Sequence, residues 1–184
     1  LWAARIFGLL IGLASIFLTY KIGEKLFNQR TALIASFIQA IFPVVLYFES
    51  ELLLDALFMF LLELSFYRFI IWHEGHNAKN SLWLGMSLGL AAITRPIILI
   101  FILPILAVAL WRNGDLTSRI KNSAVLIAGL SLLILPITIR NLVVGHELVP
   151  IATQGGVNFY IGNNALADGL SAAALTDDAG NPIR

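Results

Sequence analysis

Long apolar stretches separated by short polar connections run through the first three quarters of the chain. The first extends from about Leu1 to Ile22 and is broken only by Arg5. The second runs from Thr31 to Phe48 with Pro43 inside it, and the third from about Leu52 to Trp72. A longer stretch, Leu82 to Trp111, is interrupted at Arg95-Pro96, and a fifth covers Ser123 to Ile139. A bilayer crossing takes about 20 helical residues at ~1.5 Å each, so four of these stretches fit one crossing apiece. As one helix, the 30 residues from Leu82 to Trp111 would reach about 45 Å, beyond the ~30 Å hydrocarbon core. The middle of that helix would also hold an arginine beside a helix-breaking proline. A hairpin of two shorter helices, 82–94 and 97–111, turning at Thr94-Arg95-Pro96, fits better. Irregular backbone at that depth is tolerated only where it is buried in protein or lines a wet cavity.

Beyond Ile139 the pattern changes. Residues 140–184 are rich in Gly, Asn and Asp, with Gly155-Gly156, Gly162-Asn163-Asn164 and Asp168-Gly169, all turn formers. They predict an irregular extracytoplasmic loop with a short strand at Val157–Ile161. The fold class expected is therefore all-α: a polytopic transmembrane helical bundle over residues 1–139, followed by that loop.

Composition sharpens this. Hydrophobic residues make up 59% of the 184, and only 12% are charged, against roughly a quarter in soluble domains. Polar surface is too scarce to cover a globule, so lipid is the expected solvent. The absence of cysteine excludes disulfides, thiolate metal sites and thiol nucleophiles. A hydrophobic span at the very start without a charged leader, and a polar end at Thr176–Arg184, predict a piece of a longer protein rather than a signal peptide.

Charge placement orients the bundle. With a hairpin at Arg95-Pro96, Lys21, Lys25, Arg30, Arg68, Lys79, Arg112, Arg119 and Lys121 all fall on one side. The positive-inside rule makes that side cytoplasmic and puts Leu1 and everything after Ile139 outside. Trp72, Trp83 and Trp111 sit at the cytoplasmic ends, as an aromatic belt would.

The sharpest chemical signal is acidic. Glu49, Glu51 and Asp55 cluster at the outer mouth of the third span, and Glu51 and Asp55 share one helix face at i,i+4. Carboxylates entering lipid are costly unless they meet a polar cavity, a metal or a cation. The pair could act as a general base, hold a divalent metal or bind a hydroxyl-rich substrate; the alternative is a headgroup-level position favoured by the helix dipole. Arg95 at the membrane turn could hold a phosphate bidentately, or snorkel, or pair with Glu51 or Asp55. Arg140 closes the last span on the outer side, as a ligand contact or an interfacial anchor. Glu63 and Arg68, five apart, are expected to contact neighbouring helices. His73 and His76 read as a solvated loop rather than a metal site. Gln154 to Asn164 mixes amides, glycines and aromatics, suited to sugar hydroxyls and ring faces or to a structured lid.

Three stretches together carry a family likeness: Tyr20-Lys21-Ile22-Gly23 through Pro43 to Leu53-Leu54-Asp55-Ala56-Leu57; Gly89-Leu90-Ala91-Ala92-Ile93-Thr94-Arg95-Pro96; and Pro136-Ile137-Thr138-Ile139-Arg140-Asn141 with Gln154 to Asn164 and Asp168-Gly169. In order and spacing the chain resembles C-type polyprenyl-phosphate-sugar glycosyltransferases. Specifically, it resembles the bacterial group related to dolichyl-phosphate-mannose protein mannosyltransferases and lipid A aminoarabinose transferases. The resemblance implies a multi-pass enzyme of the bacterial inner membrane that moves a sugar from a polyprenyl-phosphate carrier to a lipid, glycan or protein acceptor at the outer face. It implies that the principal catalytic acid lies in an outer loop before Leu1, so this stretch alone is expected to be inactive. Asp55 matches the family's second acidic position, with Glu51 beside it. Arg95 matches the Arg-Pro of the hairpin. Arg140, Asn158, Tyr160, Asn163 and Asn164 match the outer-loop region bordering the substrate. No motif demands a cofactor; a divalent metal on Glu51 and Asp55 stays open. The other class that suits broken helices and intramembrane charge is a secondary transporter or lipid flippase. That class predicts a second broken segment, and none is visible.

Overall fold

The computed structural model describes residues 2–50, 54–111, 115–152 and 154–163. Most of these residues are helical. The helices are α1 (Trp2–Leu26), α2 (Gln29–Ile41), α3 (Pro43–Ser50), α4 (Leu54–Glu74), α5 (Ala78–Thr94), a 3-10 segment (Pro96–Phe101), α6 (Ile102–Trp111), α7 (Leu116–Gly145) and α8 (Gln154–Asn163). Helix starts follow side-chain caps: Asn28 accepts from Thr31 N at 2.9 Å, Asn77 from Asn80 N at 2.9 Å and Asp115 from Ser118 N at 3.1 Å.

Several elements differ from the hydropathy reading, each for a local reason. The second apolar stretch is two helices, because the residue before Pro43 is pushed out of the helical region; Phe42 has ψ 114. The last span begins at Leu116, where the Asp115 cap acts, rather than at Ser123. It runs through Pro136 to Gly145 and stops where His146 turns left-handed at φ 54. Apolar content marks where a helix meets lipid, not where it ends. The strand expected at Val157–Ile161 is instead part of α8; no paired strand exists among the described residues to satisfy its backbone.

Helix directions follow from the contacts. Gly23 meets Ala32, so α1 and α2 are antiparallel. Ser15 and Lys25 of α1 reach Glu63 and Glu74 of α4, so those two are parallel. Trp72 donates to Ser81 at 3.0 Å and Arg95 pairs with Asp55, so α4 and α5 are antiparallel. Gly85 and Gly89 of α5 sit against Leu126 and Leu130 of α7, so these run parallel. Two consecutive parallel helices require the chain to return between them, and the 3-10 segment and α6 make that return. Ile98 and Ile105 of this return bury against Leu61, Leu84 and Leu88.

One end of the bundle therefore carries Asp55, Arg95 and the C-terminal end of α7. The other carries the Lys25–Glu74 pair at 2.5 Å, the bond from Asn122 to the His76 carbonyl at 3.2 Å and that from Arg119 to the Leu110 carbonyl at 2.7 Å.

The α5–α7 crossing is closed by glycine. A Cβ at Gly85 would lie 2.0 Å from the Leu126 carbonyl oxygen, and one at Gly129 would lie 2.6 Å from that of Leu82. Small residues at such contacts let membrane helices pack where lipid removes the hydrophobic drive for association. The outer surface is apolar: Leu9, Leu13, Phe17, Phe37, Ile100 and Leu103 are all exposed. Among the described residues, two helices are long and apolar enough to cross a membrane by length and composition, Arg5–Leu26 and Leu116–Gly145, with Pro96–Trp111 a shorter apolar one. Trp72 is not part of an aromatic belt. It is 1% exposed, and its indole N–H is spent on Ser81. Trp83 and Trp111 are exposed. Arg68 lies over the Trp83 ring at 5.3 Å, a contact to a neighbouring helix. His76 is half-buried against Trp72, ring centroids 4.1 Å apart, rather than in a solvated loop.

Candidate functional site

The break in the Leu82–Trp111 stretch builds the site. Thr94 ends α5 with its hydroxyl donating to the Ala91 carbonyl at 2.7 Å. Arg95 follows in extended geometry (φ −144, ψ 106), imposed by Pro96, which opens the 3-10 segment. An extended residue here swings the arginine off the helix axis toward α4. Its guanidinium forms an ion pair with Asp55, in the first turn of α4, and lies 5.9 Å from the centre of the Phe58 ring. The two side chains remain 50% and 38% exposed, so the pair is reachable from outside the bundle. Asp55 thus has a cation of the protein's own on one oxygen, Oδ1. A carboxylate so placed is suited to hold the guanidinium in position.

Arg140 is at the same end of the bundle. The parallel packing of α5 and α7 sets the level of Arg95 near Pro136, one helical turn before it. Arg140 lines a polar pocket of about 350 Å³ with Asn141, Glu147 and Ile151. The loop after α7 is folded back to form this pocket. The Asn141 side chain donates to the carbonyls of Val149 at 3.1 Å and Ile151 at 3.3 Å, and the Thr138 hydroxyl donates to that of Pro150 at 2.8 Å. The sequence reading did not single out Asn141 and Thr138 for this role. Their signal was available: two polar residues in the last turns of an apolar helix, just before a Gly-His-Glu turn.

Asn158, Tyr160 and Asn163 all fall on α8, which packs against none of the other described helices. Asn163 donates back to the Phe159 carbonyl at 2.9 Å. The structure therefore joins Asp55 with Arg95 and sets Arg140 at the same end, but does not bring the α8 amides onto them. Glu51 and Asn164 lie outside the described residues. Among the described residues, no group of three or more His, Asp and Glu converges as a metal site.

An all-α bundle with an apolar outer surface, a broken apolar helix and charged groups gathered at one end defines a membrane protein with a polar site at the bundle's mouth. The family profile described as dolichyl-phosphate-mannose-protein mannosyltransferase matches residues 1–142. The chain belongs to this family, and is a membrane glycosyltransferase by descent. No curated protein and no solved structure matches it.

Proposed function

We propose that the protein transfers a sugar from a polyprenyl-phosphate carrier to an acceptor at the extracytoplasmic face of a bacterial inner membrane. The observation that carries this is the Arg95–Asp55 pair at the helix break, at the same end of the bundle as Arg140. In an inverting transfer a base deprotonates the acceptor hydroxyl, which attacks the anomeric carbon as the lipid phosphate departs. A guanidinium held by Asp55 suits the departing phosphate, whose negative charge grows in the transition state. Asp55 holds Arg95 in place, with Glu51 four residues before it as a second acid. Arg140, the side-chain amides of Asn158, Asn163 and Asn164 and the phenol ring of Tyr160 supply contacts to the sugar. A divalent metal at Glu51 and Asp55 remains compatible with this reading.

Release of free polyprenyl phosphate from a labelled lipid-linked sugar, in membranes holding the native protein, tests the reaction. A transporter or flippase would move the lipid intact, and recovery of only intact lipid would sink the enzyme reading. Orientation rests on the basic residues at the other end of the bundle. The chain has no cysteine, so a single cysteine at Leu148, 77% exposed, should react with an impermeant maleimide on intact cells. One at Gln29 should react only after permeabilisation. The reverse pattern would invert the topology.

A further inference from the structure

The polar pocket of about 350 Å³ at the end of α7 is lined by Arg140, Asn141, Val144, Glu147 and Ile151 among others, and it is pre-formed. The left-handed turn at His146 sends the chain back, so that the Glu147 N–H reaches the Asn141 carbonyl at 3.5 Å. The Asn141 side chain then donates to the carbonyls of Val149 and Ile151, and the Thr138 hydroxyl holds that of Pro150. One guanidinium and one carboxylate are left to face a ligand. The ion pairs among the described residues are Lys21–Glu24, Lys25–Glu74 and Asp55–Arg95, so Arg140 and Glu147 share the pocket without neutralising each other. The hydrogen bond from Arg140 to Asn141 Oδ1, at 3.5 Å, leaves most of the five guanidinium donors open. The carboxyl end of α7 adds partial negative charge on the Glu147 side. The pocket thus has a positive and a negative pole.

We propose that this pocket binds a phospholipid headgroup of the phosphoethanolamine type, with the phosphate on Arg140 and the primary ammonium on Glu147. A guanidinium forks onto phosphate oxygens, and a carboxylate accepts the N–H bonds of an ammonium. The membrane supplies such a ligand at this height. Ile139, Leu142, Val143 and Val144, on the last turns of α7, are exposed apolar side chains, which are favoured in acyl chains over water. They set the pocket beside them at the headgroup layer. A headgroup seated there ties the end of α7 to the returning loop and so steadies Arg140. Its effect on sugar transfer rests on the transferase reading above, whereas its binding does not.

Melting of the purified native protein in detergent tests binding without a transfer assay, because a ligand of the folded form raises the melting temperature. Short-chain phospholipids with ethanolamine, glycerol or choline headgroups are compared at matched concentration. The glycerol lipid keeps the phosphate and lacks the ammonium; the choline lipid keeps the positive charge and has no N–H to donate. The ethanolamine lipid should raise the melting temperature most. Glu147→Gln should weaken its binding about tenfold, the scale of one hydrogen bond to a charged group, and bring it level with the glycerol lipid. Arg140→Gln should weaken all three. Both side chains are exposed, so neither substitution disturbs the packed bundle. An ethanolamine lipid no better than the glycerol or choline lipid, or a preference that survives Glu147→Gln, would overturn the proposal. A larger rise with soluble glucosamine phosphate would assign the pocket to an aminated glycan and overturn the lipid as its occupant. Selective ethanolamine-lipid binding by a protein that releases no polyprenyl phosphate would sink the transferase reading and leave this assignment standing.

Discussion

Replacing Arg95 by alanine is expected to lower sugar transfer by about 100-fold or more, the usual scale for removing one charge-stabilising donor from a transition state. The protein should still insert and fold. Arg95 is half exposed and caps α5 through its backbone, with its N–H donating to the Ala91 carbonyl at 2.9 Å. An exposed pair of this kind contributes little to stability, so truncation removes a function rather than a support. Asp55→Asn keeps the shape of the partner and removes its charge, and should also cut transfer sharply. The two together separate their roles. If Asp55 acts by holding Arg95, the double variant Asp55→Asn/Arg95→Ala should be no slower than Arg95→Ala alone, because the second change has nothing left to disturb. Multiplying losses would mean that Asp55 meets the substrate independently. Wild-type transfer in Arg95→Ala would remove the guanidinium from the mechanism altogether.

Gly85→Ala should be strongly disruptive, for a single added methyl. The new Cβ would sit 2.0 Å from the Leu126 carbonyl oxygen and 3.0 Å from two further backbone atoms. Backbone cannot swing aside as a side chain can, so α5 and α7 must separate along their length. Overpacking of this sort costs about 1–3 kcal/mol and occasionally more. Because Arg95 terminates α5, the separation should lower transfer as well as the melting temperature in detergent. Gly155→Ala, where nothing lies within 4 Å of the new atom, is the matched control and should melt with the wild type. Equal melting of the Gly85 variant and the control would mean that the close crossing does not exist.

Much of the bundle was legible in the chain because lipid imposes a simple rule. Apolar runs of membrane length become helices, since no other spanning segment satisfies its own backbone hydrogen bonds. The break at Thr94-Arg95-Pro96 was legible for the same reason, as a proline beside a charge interrupts both the helix and its apolar run. Helix ends were less legible, since Asp115 and His146 set them through caps and a left-handed turn rather than through hydropathy. The α8 segment was misread as a strand because glycine and aromatic content was weighed without asking what would pair with it.

The partnership of Asp55 with Arg95 was one of several outcomes the sequence left open, alongside snorkelling and a pair with Glu51. The amino-acid sequence by itself determined the solvent, the helical class and the positions where charge enters the apolar runs, because these follow from local composition and periodicity. Only the tertiary structure decided which of those charges meet. Asp55 and Arg95 are 40 residues apart, and Glu63 finds Ser15 and Gln39 across 48 and 24 residues. Such contacts depend on which helices run parallel and how closely they approach. Glycine at the α5–α7 crossing sets that approach, through space that no single helix's pattern records.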